Sequence, residues 1–393
     1  MAKRNVLLSY LLAFSKTTWF WLGIWIFYYL RFTDYAGIGL IETVLIVTVT
    51  LAEIPTGAIA DLIGKKKTLI LAFLLETVGG FMMAATPNFP ILLLSVFVMC
   101  VGGAFYSGTL DALVFDSLKE EGQEGTYAKK IANINTISLL SPAICGVIGG
   151  FMYKINPTLP FYANAFGYLI GLVTAFFLIE PHIDTERFSL KNFFKQSGQG
   201  LRELFKTADI KRQTILLLSV GFFVIISAEM VDGFLGFEFG FNEIQMGILW
   251  SVIYVICAIA SQLTPFIRKT FKGNRSIIVV GLLMAVTFIV SPFIGLIVGG
   301  LTLALRSSLH SIFGNLYSIA INNNTESKYR ATTLSTFNMM KNTPYVLTAY
   351  FIGALSDKLS AKTIALYLGI ALIVFILVQT IPFIRRSPWN GKS

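Results

Sequence analysis

Gly57 to Leu69 reads "GAIADLIGKKKTL", and it interrupts a chain that is hydrocarbon on either side. Before it runs "IGLIETVLIVTVTLAEIPT", and after it "LILAFLLETVGGFMMAA". One aspartate, two glycines and three consecutive lysines between two such runs is the pattern of a turn at a membrane surface. Gly64 can take the left-handed conformation that ends a helix, and Gly57 lets a second helix approach closely. Asp61 at the membrane edge needs a partner, either a helix N-terminus or a basic side chain. The lysines can pair with acids at the inner end of a neighbouring helix, where Asp116 is the natural candidate.

The same pattern extends over the whole chain. Hydrophobic residues make up 55% and charged residues 13%, about half the charged fraction of a soluble domain. Apolar runs of about 20 residues recur from end to end, each long enough to cross about 30 Å of hydrocarbon as a helix. The reading is an all-α integral membrane protein with twelve transmembrane spans, near 5–30, 36–60, 68–86, 90–115, 131–153, 158–180, 211–237, 243–267, 275–293, 295–321, 331–355 and 361–384. The first run has no small-residue cleavage site and is read as a retained span rather than a signal peptide. Cys100, Cys145 and Cys257 all fall inside apolar runs, with neither metal-ligand spacing nor a disulfide framework. They are read as packing residues.

Lysine and arginine orient the spans. On one side lie Lys3 and Arg4, Lys65 to Lys67, Lys119, Lys129 and Lys130, the basic residues from Arg187 to Arg212, those from Arg268 to Arg275, Lys328 and Arg330, and Arg385, Arg386 and Lys392. The other side has only Arg31, Lys154, Lys358 and Lys362. Positive charge stays cytoplasmic, so both termini are expected there, in a plasma (inner) membrane. The formal net charge of +10 follows from this bias and does not indicate nucleic acid.

The polar stretch 181–210 divides the chain into an N-terminal six-helix bundle, 1–180, and a C-terminal one, 211–393. Its Phe188, Leu190, Phe193, Phe194, Leu201, Leu204 and Phe205 alternate with basic residues, as in amphipathic helices lying on the inner leaflet; a solvated linker is the alternative. Weak echoes suggest duplication. "TYAKKIANINTISLLSPAICGVIGG" leads into the fifth span and "YRATTLSTFNMMKNTPYVLTAYFIGALSD" into the eleventh. "EIPTGAIADLIGKKK" is matched by "QLTPFIRKTFKGNR", with Pro55 against Pro265 and Gly64 against Gly273.

With these features the chain resembles the major facilitator superfamily of secondary transporters. The hallmark Gly-x-x-x-Asp-x-x-Gly-Lys-Lys turn maps onto Gly57, Asp61, Gly64, Lys65 and Lys66, with Leu62 where a basic residue is usual. The resemblance implies two pseudo-symmetric six-helix bundles that rock about a central cavity. The charged turn, with Asp116, then acts as a cytoplasmic conformational switch. It also implies that the first, fourth, seventh and tenth spans line the cavity. These carry Lys16, Asp111, Glu229, Asp232, Arg306 and His310, the candidate substrate and proton-coupling residues, since ionisable groups within spans mark function by default. The structural alternative for each is an ion pair fixing helix register. Lys341 lies in the eleventh span, and Glu53 and Glu76 in the second and third. In the fifth span "CGVIGG" keeps only the paired glycines of an antiporter motif, with Pro142 a turn earlier. Glu229 and Asp232, three residues apart, are expected on one helical face, where two carboxylates can share a proton.

The function expected is proton-coupled efflux of lipophilic compounds by alternating access. Transport of an organic anion or a lysolipid, suggested by Lys16, Arg306 and Lys341, is the alternative. The expected partners are a small-molecule substrate, protons and membrane lipids, with the protein a monomer. No cofactor, no metal and no nucleic acid are expected. No nucleotide-binding loop is present, and the two histidines, His182 and His310, form no catalytic constellation.

Overall fold

The computed structural model describes residues 1–181, 190–326 and 329–384, and for 53–55, 57–61, 190–196, 331 and 381–384 the backbone alone. Every regular element among them is helical. Ten stretches are long and apolar enough to cross a membrane. The expected first and eleventh spans are not among the ten, and each has a physical reason. The first is broken: helix α1 (Ala2–Lys16) ends at the midpoint of the expected span, Thr17–Ile24 runs in turns, and only a short α2 (Trp25–Tyr29) follows. The eleventh is a continuous α16 (Arg330–Leu359), but its first half, "RATTLSTFNMMKNT", is too polar to register as hydrocarbon.

The chain forms two compact units, one of Met1–Phe193 with Asn242–Tyr254, the other of Phe194–Phe241 with Val255–Ser393. The first contains α1, α2, α3 (Tyr35–Ile63), α4 (Lys65–Ala84), α5 (Phe89–Tyr106), α6 (Thr109–Glu120), α7 (Tyr127–Ile155) and α8 (Leu159–Phe176). Leu12, Leu69, Phe73, Leu113 and Ala175 form one buried cluster; Tyr28, Ile41, Leu92 and Phe161 belong to another. Leu140, Ile144 and Phe151 on α7 and Phe166, Ile170 and Phe177 near α8 remain exposed, as residues facing lipid should.

The fourth expected span is split at Ser107 and Gly108 into α5 and α6. Gly108, at φ 71°, caps α6 in a left-handed conformation that a side chain would strain. Gly64 also departs from expectation. With φ 92° and ψ 156° it opens α4 in an extended, positive-φ conformation, essentially reserved for glycine, rather than closing α3 in the left-handed helical one.

The break at Thr17–Ile24 is packed against glycines. A Cβ at Gly149 of α7 would collide with the carbonyl of Phe20, and one at Gly167 of α8 with the Thr18 hydroxyl. Gly146 and Gly150 of α7 meet Gly247 and Ser251, where a Cβ at Gly247 would lie 2.6 Å from the Gly146 oxygen. Small residues four apart on both helices let the backbones touch. This contact draws Asn242–Tyr254 into the first unit.

The second unit holds α9 (Leu190–Leu204), α10 (Ala208–Ile226), α11 (Asp232–Glu238), α12 (Glu243–Ser261) from Val255 onward, α13 (Thr264–Thr270), α14 (Asn274–Ile289), α15 (Leu296–Asn324), α16 and α17 (Ala361–Ile384). Its first few residues apart, α9 lies in this unit. It is the helix expected in the polar stretch, yet its last turns pack on protein: Leu204 is buried, and a Cβ at Gly200 would lie 2.7 Å from Thr336 Oγ1 of α16. His182 and Phe188 lie outside the described residues. Between α10 and α11, Ser227–Val231 forms a π-helical turn, so the seventh expected span is also irregular.

Candidate functional site

Irregular backbone within the membrane is tolerated only where protein buries it or where it lines a wet cavity. Three of the four spans expected to line a cavity are irregular, and Lys16, Asp111, Glu229 and Asp232 lie beside these irregularities, while Arg306 and His310 lie within the regular α15.

In the first unit, Lys16 is the last residue of α1 before the break. Its ammonium forms an ion pair with Glu76 of α4, with side-chain exposures of 21% and 2%. It also lies 5.4 Å above the Tyr106 ring and 5.8 Å from that of Tyr168, a favourable setting for a cation held away from water. Glu76 Oε2 is buried without a hydrogen-bond partner. Asp111 stands apart, exposed on α6 just after the Ser107–Gly108 break, with no ion pair among the described residues.

In the second unit, Arg306 of α15 is fully buried. Its Nε donates to Asp232 Oδ1 at 2.6 Å and its Nη1 to the Thr287 carbonyl at 3.2 Å, while the guanidinium lies 5.2 Å from the Phe288 ring centre. Asp232 is 1% exposed. The pair is sealed among α11, α14 and α15, which is the register-fixing arrangement rather than a substrate-facing one.

Glu229 does not join it. The π turn follows an i to i+5 hydrogen-bond pattern and shifts the phase of the helix, so Glu229 and Asp232 do not form the shared-proton pair expected from a regular helix. Glu229 is half-buried, and the charge that acts on it is the Lys341 ammonium of α16. Lys341 also acts on His310 and lies 5.3 Å from the Tyr317 ring centre. Its stem crosses Gly221 of α10, where a Cβ would come within 2.9 Å of Lys341 Cγ. Asn338, one turn before Lys341 on α16, and Asn342 beside it each hold a buried side-chain oxygen with no partner. Glu229, His310, Tyr317, Asn338 and Lys341 thus gather from three spans into one polar cluster with accessible surface.

The charged turn is built from the backbone upward. Lys65 Nζ lies 2.6 Å from Asp116 Oδ2. The backbone N–H groups of Lys65 and Lys66 each donate at 2.7 Å to one oxygen of the Glu180 carboxylate, satisfying the free donors and dipole of the α4 N-terminus. The helical backbone of α3 passes through Gly57 and Asp61, whose side-chain surroundings lie outside the described residues.

Lys341 and Glu76 stand on spans not expected to line a cavity, and no sequence motif marks Glu180, Tyr106, Tyr168, Tyr317 or Asn338. Glu180 carried a readable signal: an acid ending the sixth span on the same side as Lys65 to Lys67.

An all-helical, multi-spanning chain with buried ion pairs and a half-open polar cluster at broken spans is a membrane transporter in form. Residues 6–344 match the sequence profile of the Major Facilitator Superfamily, and the chain belongs to that family of transporters. It is 27% identical to the "Multidrug resistance protein MdtL" of Shewanella oneidensis over 56% of this chain, and spans about half (54%) of that relative's length. To the "Uncharacterized MFS-type transporter YxaM" of Bacillus subtilis it is 21% identical over 91% of this chain and 90% of that one. The "Quinolone resistance protein NorA" of Staphylococcus aureus is 28% identical over 33% of this chain and 32% of its own length. Among solved structures, the nucleoside transporter NupG superposes with a TM-score of 0.77 at 16% identity, covering 97% of this chain and 98% of its own. A bacterial homologue of the lysosomal transporter Spinster does so with 0.70 at 14%, covering 96% and 94%. At those identities the likeness is one of fold.

Proposed function

We propose that the chain is a twelve-span secondary transporter of the plasma membrane with cytoplasmic termini, exporting lipophilic small molecules in exchange for protons. The observation that carries the reading is the cluster at the π turn. Glu229 is accessible, is held by no ion pair within 4 Å among the described residues, and faces Lys341 as its governing charge. A carboxylate so placed can take up a proton in one state and release it in another, while a sealed pair such as Asp232–Arg306 cannot. The efflux-type relatives support the direction of transport.

Cargo charge follows from pairing. Lys16 is neutralised by Glu76 and Arg306 by Asp232, and the charge of the third cation, Lys341, is met by Glu229, so none of the three presents a free positive charge to an organic anion while Glu229 is ionised. This favours neutral or weakly cationic lipophilic cargo over the anionic alternative.

The test is transport by the purified protein in liposomes under an imposed pH gradient, with cationic, neutral and anionic compounds. Glu229→Gln should abolish uphill transport and spare exchange without a gradient. Concentration of cargo by Glu229→Gln at the wild-type rate would sink the proton assignment, and a preference for anions would sink the cargo assignment.

A further inference from the structure

The two units treat an equivalent helix start differently. Gly64 opens α4 at φ 92° directly after α3, and Gly273 opens α14 at φ 60° after the short turn that follows α13. At Gly64 the space beside the backbone is filled: a Cβ would meet the Glu180 carboxyl carbon at 2.8 Å, because that carboxylate sits on the first N–H groups of α4. At Gly273 nothing lies within 4 Å, and no side chain caps α14. Glu180 ends the last span of its half, yet no acidic residue occurs in the corresponding part of the second half, from Ala361 to the end of the sequence.

The open place is part of a cavity of about 360 Å³ among α10, α13, α14 and α15. Arg268 and Lys272 supply its charge, and no lining residue is acidic. Gln213 donates to Asn274 Oδ1 and accepts from Asn324 Nδ2, both at 2.7 Å, which fixes the polar wall. Ile277, Leu316 and Ile319 add an apolar lining. Glu203, an acid on an adjoining hollow, is paired with Lys206. The cavity thus combines two cations, polar side chains at a helix N-terminus and an apolar lining.

We propose that this cavity binds a phosphate group in the place that Glu180 fills in the first unit. Helix N-termini and basic side chains both favour phosphate, and basic pockets between spans on the cytoplasmic side suit anionic headgroups. The apolar lining and the volume suit a phosphodiester bearing a glycerol more closely than a bare anion. This inference does not depend on the direction or coupling of transport.

The experiment is a thermal-unfolding series on the full-length protein in detergent, with phosphatidylglycerol, phosphatidylcholine or inorganic phosphate added. Phosphatidylglycerol at saturation should raise the midpoint by at least about 3 °C. The double variant Arg268→Gln/Lys272→Gln should lose that rise while keeping the lipid-free midpoint, since both side chains are exposed. Lys129→Gln/Lys130→Gln, of equal charge change elsewhere, should keep it. Stabilisation by phosphatidylglycerol identifies a lipid source, and stabilisation by inorganic phosphate alone identifies a soluble one; either supports the site if Arg268→Gln/Lys272→Gln removes it. No stabilisation by either, equal stabilisation by phosphatidylcholine, or a rise that survives in that variant overturns the proposal.

Discussion

Arg306 Nε and Asp232 Oδ1 are 2.6 Å apart, and neither side chain reaches solvent. Removing one partner of a buried pair leaves an uncompensated charge, at a cost of about 3–5 kcal/mol, whereas removing both often costs little. Arg306→Gln should therefore lower the yield of monodisperse protein and its unfolding midpoint sharply. The double variant Arg306→Gln/Asp232→Asn should recover most of both in fluorescence-detected size exclusion. Equal damage from the single and double variants would mean that packing, not charge, is what the pair supplies.

Lys16 and Glu76 test the same rule where one partner is partly exposed. Glu76→Gln should release the Lys16 ammonium into the accessible space and shift cargo preference towards anions in the liposome assay. Lys16→Gln should not. Identical cargo selectivity in both variants would remove the pair from the substrate's surroundings.

At the charged turn, Lys65–Asp116 and the Glu180 cap share one short segment, so their effects should not add. Glu180→Gln retains an acceptor but loses the charge at the helix start, a loss of about 1 kcal/mol. Asp116→Asn combined with Glu180→Gln should cost less than the sum of the two single changes. Strict additivity in unfolding midpoints would mean that the two groups are independent.

Ser360 begins α17 at φ 68° and ψ 150°, the single non-glycine positive φ among the described residues, while Glu238 accepts from the N–H groups of Ala361 and Lys362. That backbone costs a residue with a Cβ about 1–3 kcal/mol. Replacing a serine cap by glycine loses only a few tenths of about 1 kcal/mol. Ser360→Gly should accordingly raise the unfolding midpoint. A lowered midpoint would show that the Ser360 hydroxyl, which accepts from the Thr363 N–H, matters more than the strain.

Membrane character, the charged turn and the Lys65–Asp116 partnership were legible because each depends on composition or on charge at a span end. The irregular spans were not. "TTWFWLGIWIF" is apolar enough for an unbroken helix, and no proline marks its break. The cause lies in the glycines of α7 and α8, distant in sequence, that admit the turns. The π turn was equally hidden, because a phase shift leaves the hydrophobic pattern of "VGFFVIISAEMVDGF" intact. The spacing therefore pairs Asp232 with Glu229, which the fold separates, and nothing in the sequence joins Lys341 on α16 to Tyr317 on α15.

The glycines around Thr17–Ile24 bear on how this transporter can diversify. Gly149 and Gly167 act as a mould for a stretch of backbone that cannot hold its own shape, and they do so without presenting any side chain to a cargo. Specificity can then drift through residues such as Tyr317, Asn338 and His310, whose replacement alters a surface, while the mould admits almost no variation. In a saturation-mutagenesis library selected on different compounds, tolerated residues around the cluster should change with each compound, and intolerance at the two glycines should stay constant.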